Sequence, residues 1–134
     1  MRYLVDTCIW IKLLRRDRAA GRNFVQALWN DDEILVSGVV YFELIRGFRR
    51  TQDRSGEVFI LSLWERLTYV EMSRPVWDRA ADLWAESVRR NMRREDADTV
   101  MAALASVLDA VVVTDNVRHF ESFPVRVVNW AASE

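Results

Sequence analysis

Three acids stand where an α/β chain gathers its chemistry. Asp6 follows a short apolar stretch at residues 2–5, Glu43 lies early in a mostly apolar helical run, and Asp98 falls in the first turn of another helix. Asp115 and Asn116 add a polar point after a late apolar run. In a parallel α/β fold, the carboxyl ends of the strands and the N-termini of the helices share one edge of the sheet, where ligands bind. Acids far apart in sequence can therefore meet there. Carboxylates brought together repel one another, and burial adds to the cost of their charge. A divalent cation relieves both problems, and oxygen-only ligands favour Mg²⁺ or Mn²⁺ over zinc. Such an ion orients water and offsets charge on a phosphoryl group.

Each acid also has a duller role open to it. Asp6 could be a strand-end turn residue, and Glu43 could pair internally with Arg46, three residues on along a helix. Asp98 could merely favour a helix start, while Asp96 is expected as the N-cap of that helix. Cys8, the one cysteine, sits in an apolar flank and is expected to be a packed thiol, which excludes internal disulfides and cysteine-based zinc sites. His119, the one histidine, lies close to Phe120 and Phe123 and is expected to be a packed or surface residue. No Gly-rich phosphate loop or distinctive nucleophilic serine is present.

The elements that must position these residues are short and alternate in type. Strands are expected at 2–5, 34–36, 68–70, 110–113 and 125–128. Helices are expected at 8–14, 22–29, from Ser37 through Phe48, at 58–67, after Pro75, and at 96–108. Ser37 can cap its helix, and Pro75 suits a first turn. In the helix after Pro75, Val76, Ala80, Leu83, Trp84 and Val88 recur at helical spacing, so Trp84 is expected on the inward stripe. Strands that are apolar on both faces and alternate with helices indicate an α/β/α sandwich around a mainly parallel sheet.

With 134 residues and 51% apolar content, the chain fits one domain with a real core. No run approaches the roughly 20 apolar residues that span a bilayer, and no signal-peptide core precedes Asp6, so a cytoplasmic protein is expected. The net charge of −1 argues against a nonspecific nucleic-acid coat. The 19 basic residues include a single lysine, Lys12. Arginines cluster at 15–18, 46–54 and 89–94, either as solvated helix faces or as phosphate contacts.

Four segments, in order, resemble the motifs of the PIN-domain family, and within it the VapC-type toxins of toxin–antitoxin pairs. They are LVDTCIWIKLL, SGVVYFELIRGFRR, DTVMAALA and VVVTDNVRHF, followed by a closing VVNW. The resemblance covers nearly the whole chain, so residues 1–134 are expected to form a single PIN-like domain. It implies a three-layer α/β/α sandwich and Mg²⁺- or Mn²⁺-dependent endonucleolytic cleavage of RNA. It places metal ligands on Asp6 and Asp98, with Glu43 completing the shell or holding a water. Asn116 falls on the fourth position, often an aspartate in the family, and Asp115 immediately before it is a further candidate ligand.

The same resemblance implies a homodimer held inactive by a cognate antitoxin that sets a basic side chain near Asp6 and Asp98. Of the 6 tryptophans, Trp64 and Trp84 are expected in the core, and Trp10 and Trp29 at interfaces. One rival, a haloacid-dehalogenase-like phosphatase, needs an aspartate where Cys8 stands and a late lysine that is missing. The other is a degenerate PIN-like domain that binds RNA or protein without cutting.

Overall fold

The computed structural model describes residues 1–131. Five strands form one sheet in the order β3-β2-β1-β4-β5, and each neighbouring pair is parallel. They are β1 (Arg2–Val5), β2 (Glu33–Ser37), β3 (Thr68–Val70), β4 (Val111–Val113) and β5 (Val127–Val128). The helices are α1 (Thr7–Leu14), α2 (Arg18–Trp29), α3 (Gly38–Arg50), α4 (Arg54–Trp64), α5 (Arg74–Arg89), α6 (Asp96–Leu108) and α7 (Val117–Phe120). They flank the sheet to make a three-layer α/β/α sandwich of the expected class.

The central strands explain why the sheet is buried on both faces. Leu4, Val5, Leu35, Val36, Val112 and Val113 are all essentially inaccessible, as a parallel sheet covered by helices requires. Beneath the helices, Ile9, Ile60, Met101, Leu104 and Phe120 complete the core. β1 pairs with both β2 and β4, so the turns leaving these three strands open side by side at one edge.

Helix starts carry more of the local coding than apolar spacing alone indicated. α2 begins at Arg18 rather than 22, because the Asp17 side chain accepts from the Ala20 amide at 2.9 Å. α4 begins at Arg54 rather than 58, because Asp53 accepts from the Gly56 amide at 2.9 Å. The Arg-rich stretch between the two helices expected through Phe48 and from 58 is thus the end of α3 and a capped turn. Ser37 caps α3 as anticipated, accepting from Val40 N–H at 3.2 Å.

Asp96 does not cap α6. The N-cap is Glu95, whose side chain makes no capping bond, and Asp96 is the first helical residue. There its charge faces the positive end of the helix dipole instead of accepting an orphan amide.

Two tryptophans are exchanged relative to expectation. Trp10 is fully buried and stacks edge-on against Phe24 and Trp64, with centroids 5.9 and 5.8 Å away, while its indole N–H donates to the Val5 carbonyl. Trp84 is 45% exposed, because the inward stripe of α5 is Val76, Ala80, Leu83 and Ser87. The apolar pattern of α5 merges two stripes on adjacent faces, which one-dimensional spacing could not separate. Trp64 is core, as expected, and Trp29, expected at an interface, is open to solvent.

Candidate metal centre

Asp6 leaves β1 and caps α1, so its carboxylate is fixed at the sheet edge. Oδ1 accepts from Thr7 N–H at 2.9 Å, and Oδ2 accepts from the Thr114 hydroxyl at 2.9 Å. The Cys8 thiol also approaches Oδ2, at 3.7 Å. Thr114 follows β4 and is fully buried, and its oxygen accepts from Asn116 N–H at 3.1 Å. One hydroxyl thus ties the turn after β4 to the acid after β1.

Glu43 enters from α3, where its Oε1 accepts from the Thr7 hydroxyl at 3.0 Å. No Glu43–Arg46 ion pair forms among the described residues; the Arg46 guanidinium lies 4.8 Å above the Phe42 ring instead. Asp98 enters from the first turn of α6 and meets His119 of α7, with Nδ1 3.3 Å from Oδ2. Burial raises the Asp98 pKa above its ordinary value, and the Asp6 charge raises it further against the opposing pull of His119.

Asp6, Glu43 and Asp98 line one cavity of about 270 Å³ together with Asn116, His119 and Glu95. Sequence reasoning brought the three acids and Asn116 to this place. Asp115 does not line it: its carboxylate turns toward Lys12 Nζ at 3.8 Å, and its amide donates to the Cys8 sulfur at 3.4 Å. Cys8 is enclosed and faces a carboxylate, so its thiol is pushed up to about 12 and stays protonated, as befits a packed residue and not a nucleophile.

Sequence reasoning missed Thr7 and Thr114 as the groups that orient the acids. Both lie within the motif segments, next to Asp6 and two before Asn116. His119 is a half-exposed residue, but one that reaches the cavity and an acid, a contact made only by tertiary packing of α7 on α6.

The donor set fits a hard divalent cation. Its charged groups are oxygen donors, and the mutual repulsion of Asp6 and Asp98 is what a cation would relieve. Among the described residues, no three His, Cys, Asp or Glu side chains converge closely enough to hold an ion unaided. Mg²⁺ does not demand that, since it commonly takes one or two carboxylates and keeps several waters.

Residues 3–124 match the model of the PIN domain. The chain belongs to the PIN-domain family. It is homologous to VapC-type toxins of toxin–antitoxin systems. It is 35% identical over 121 residues to Ribonuclease VapC19 of Mycobacterium tuberculosis, covering 90% of this chain and 94% of that one. Ribonuclease VapC2 of Rickettsia felis is 23% identical over 132 residues, covering 97% and 98%.

Among solved structures, VapBC2 from Rickettsia felis bound to a promoter DNA fragment superposes with a TM-score of 0.87 at 21% identity, covering 97% of this chain and 99% of that chain. VapBC-1 from nontypeable Haemophilus influenzae gives 0.81 at 27% identity, covering 97% and 98%. Among the described residues, no helix is long and apolar enough to cross a membrane.

Proposed function

We propose that this PIN domain, residues 1–134, is a metal-dependent endoribonuclease and the toxin of a type II toxin–antitoxin pair. The observation that carries the reading is the arrival of Asp6, Glu43 and Asp98, from three separate elements, at one cavity on the carboxyl edge of the sheet. Asp6 and Asp98 would hold Mg²⁺ or Mn²⁺, with Glu43 beside them. The bound ion would supply positive charge to offset the negative charge developing on the phosphoryl oxygens.

The chain's own residues supply positioning. Thr7 N–H and the Thr114 hydroxyl hold the Asp6 carboxylate in one orientation, leaving its free lone pairs directed to the cavity. Glu43, held at one oxygen by Thr7, keeps a second oxygen to accept a hydrogen from the attacking water. Asn116 offers a neutral donor and acceptor at the rim. Asp115, engaged with Lys12, is placed to shape the turn rather than to bind the ion.

Single-stranded or loop RNA is the substrate class, since its backbone and bases are accessible. The arginine clusters supply local phosphate contacts. The similar structures from Rickettsia felis and Haemophilus influenzae are of VapBC2 and VapBC-1, which supports a cognate antitoxin as partner here. A basic antitoxin side chain near Asp6 and Asp98 would take the electrostatic place of the cation. Pairing with a second copy and a cytoplasmic setting follow from the same reading.

A domain that binds RNA without cutting is the second reading, favoured by the absence of a tight three-residue cluster among the described residues. Purified protein incubated with defined RNA and Mg²⁺, with and without chelator, separates the two. Chelator-sensitive internal cleavage supports the nuclease; binding without cleavage at any Mg²⁺ or Mn²⁺ concentration overturns it.

A further inference from the structure

A second groove, of about 640 Å³, is lined by Trp84, Arg93, Arg94, Glu95 and Asp96. Glu95 also lines the carboxylate cavity, so the groove begins where the cavity ends. The packing of α5 along α6 brings Trp84 to the segment that leads into Asp98. A groove of this size falls in the roughly 300–1,000 Å³ range of small-molecule sites.

The groups in the groove are not taken up by the rest of the fold. Trp84 is 45% exposed, and among the described residues no aromatic ring stacks on it and no guanidinium lies over it. Neither Arg93 nor Arg94 forms an ion pair among the described residues, although Glu95 and Asp96 follow them in the chain. Arg94 Nε donates to the Ser122 hydroxyl at 2.9 Å, so the guanidinium is held in place while its two terminal nitrogens remain available. Glu95 is exposed, and its side chain makes no capping bond to α6.

We propose that this groove is a nucleotide subsite beside the metal centre, in which one base of the substrate stacks on Trp84, a flanking phosphate sits on Arg94 and Arg93, and Glu95 reads the edge of the base. The proposal rests on the reading above in taking RNA as the ligand. Every base has a π-face, so stacking on Trp84 supplies affinity whatever the sequence. The planar fork of an arginine matches a phosphate with two parallel N–H bonds. A carboxylate only accepts, so Glu95 favours a base whose edge donates. Guanine sets two adjacent N–H groups on its Watson–Crick edge, whereas adenine, cytosine and uracil each offer one, and the subsite therefore selects guanine. An acidic peptide would also meet the arginines, but it would oppose its charge to Glu95 and Asp96 and leave Trp84 unused.

Fluorescence anisotropy of a labelled single-stranded RNA, measured on the full chain in chelator so that nothing is cut, tests the proposal apart from activity. The probes are an oligouridine and the same oligomer carrying one guanosine. The wild type should bind the guanosine oligomer several-fold more tightly. W84A should weaken both at least about fivefold, the lower end for a lost base–aromatic stack, and W84F should keep most of the affinity. R94A should weaken both and reduce the salt slope by about one phosphate contact. E95Q should remove the preference for guanosine. Melting of W84A, and its mass by light scattering, should match the wild type, since the residue is exposed.

Unchanged RNA affinity in W84A, or an altered mass that makes this face a protein contact, overturns the subsite. Equal wild-type binding of the two RNAs, or a preference that survives in E95Q, overturns the reading of guanine by Glu95. If W84A weakens binding but the wild type cuts no RNA with Mg²⁺, the subsite stands and the nuclease reading falls. If the wild type cuts RNA and W84A leaves both affinity and KM unchanged, the nuclease reading stands and the subsite falls. A wild type that binds neither RNA overturns both.

Discussion

The two ends of the acidic cavity are built differently. At Asp6, both carboxylate oxygens accept short hydrogen bonds from groups fixed by the fold, Thr7 N–H and the buried Thr114 hydroxyl. At Asp98, one half-exposed histidine approaches at 3.3 Å, and burial together with the Asp6 charge works against ionisation. The Asp6 side is organised before any ligand arrives. The Asp98 side is held at an electrostatic cost that a cation would remove. A PIN centre can thus combine a rigid half, which sets position, with a strained half, which supplies affinity for positive charge.

The harshest way to break the comparison is to remove either charge. D6N and D98N should each reduce Mg²⁺-dependent RNA cleavage to the level of RNA alone, while circular dichroism still reports a folded protein. Full activity in both variants would dismiss this cavity as the site.

Removing a supporting group should cost less and should distinguish the halves. T114V deletes the hydroxyl bond to Asp6 and should lower metal affinity or turnover about 10- to 100-fold, the range for groups that orient ligands. H119A should cost less than T114V, because His119 is half exposed and its partner has other reasons to face the cavity. The reverse order, measured by metal titration of activity, would show that Asp98 is the organised end.

The electrostatic cost has a sign that can be measured without metal. Because the folded state raises the Asp98 pKa, native protein takes up this proton at a higher pH than the unfolded chain does. The resulting stability is complete below the unfolded pKa and is lost as pH rises through the folded value. D98N should therefore melt a few degrees above wild type near neutral pH in chelator, and the gap should close as pH falls through the carboxylate range. A gap that is constant with pH would assign the effect to packing.

The smallest expected effect concerns Asp96. Its side chain makes no capping bond, so D96A should cost no more than a helix-dipole contact, about 0.3–1 kcal/mol, and should leave cleavage intact. Chemical denaturation beside an activity assay checks both parts.

The sequence by itself determined the parallel α/β class, the three acids and their meeting at one edge. Strand ends and helix starts fall at fixed places along a chain, and a parallel sheet must collect them on one side. It also carried the family, through four motifs in order. Tertiary structure alone decided the rest. Whether Asp115 or Asn116 faced the cavity depended on Lys12 and Cys8, which hold Asp115 aside from over a hundred residues away in sequence. Trp10 was buried because Phe24 and Trp64 close over it, and Trp84 was left outside because α6 and the core take the neighbouring stripe of α5. Periodicity reports that a helix has an apolar face; which of two adjacent faces is covered depends on what the rest of the chain brings to it.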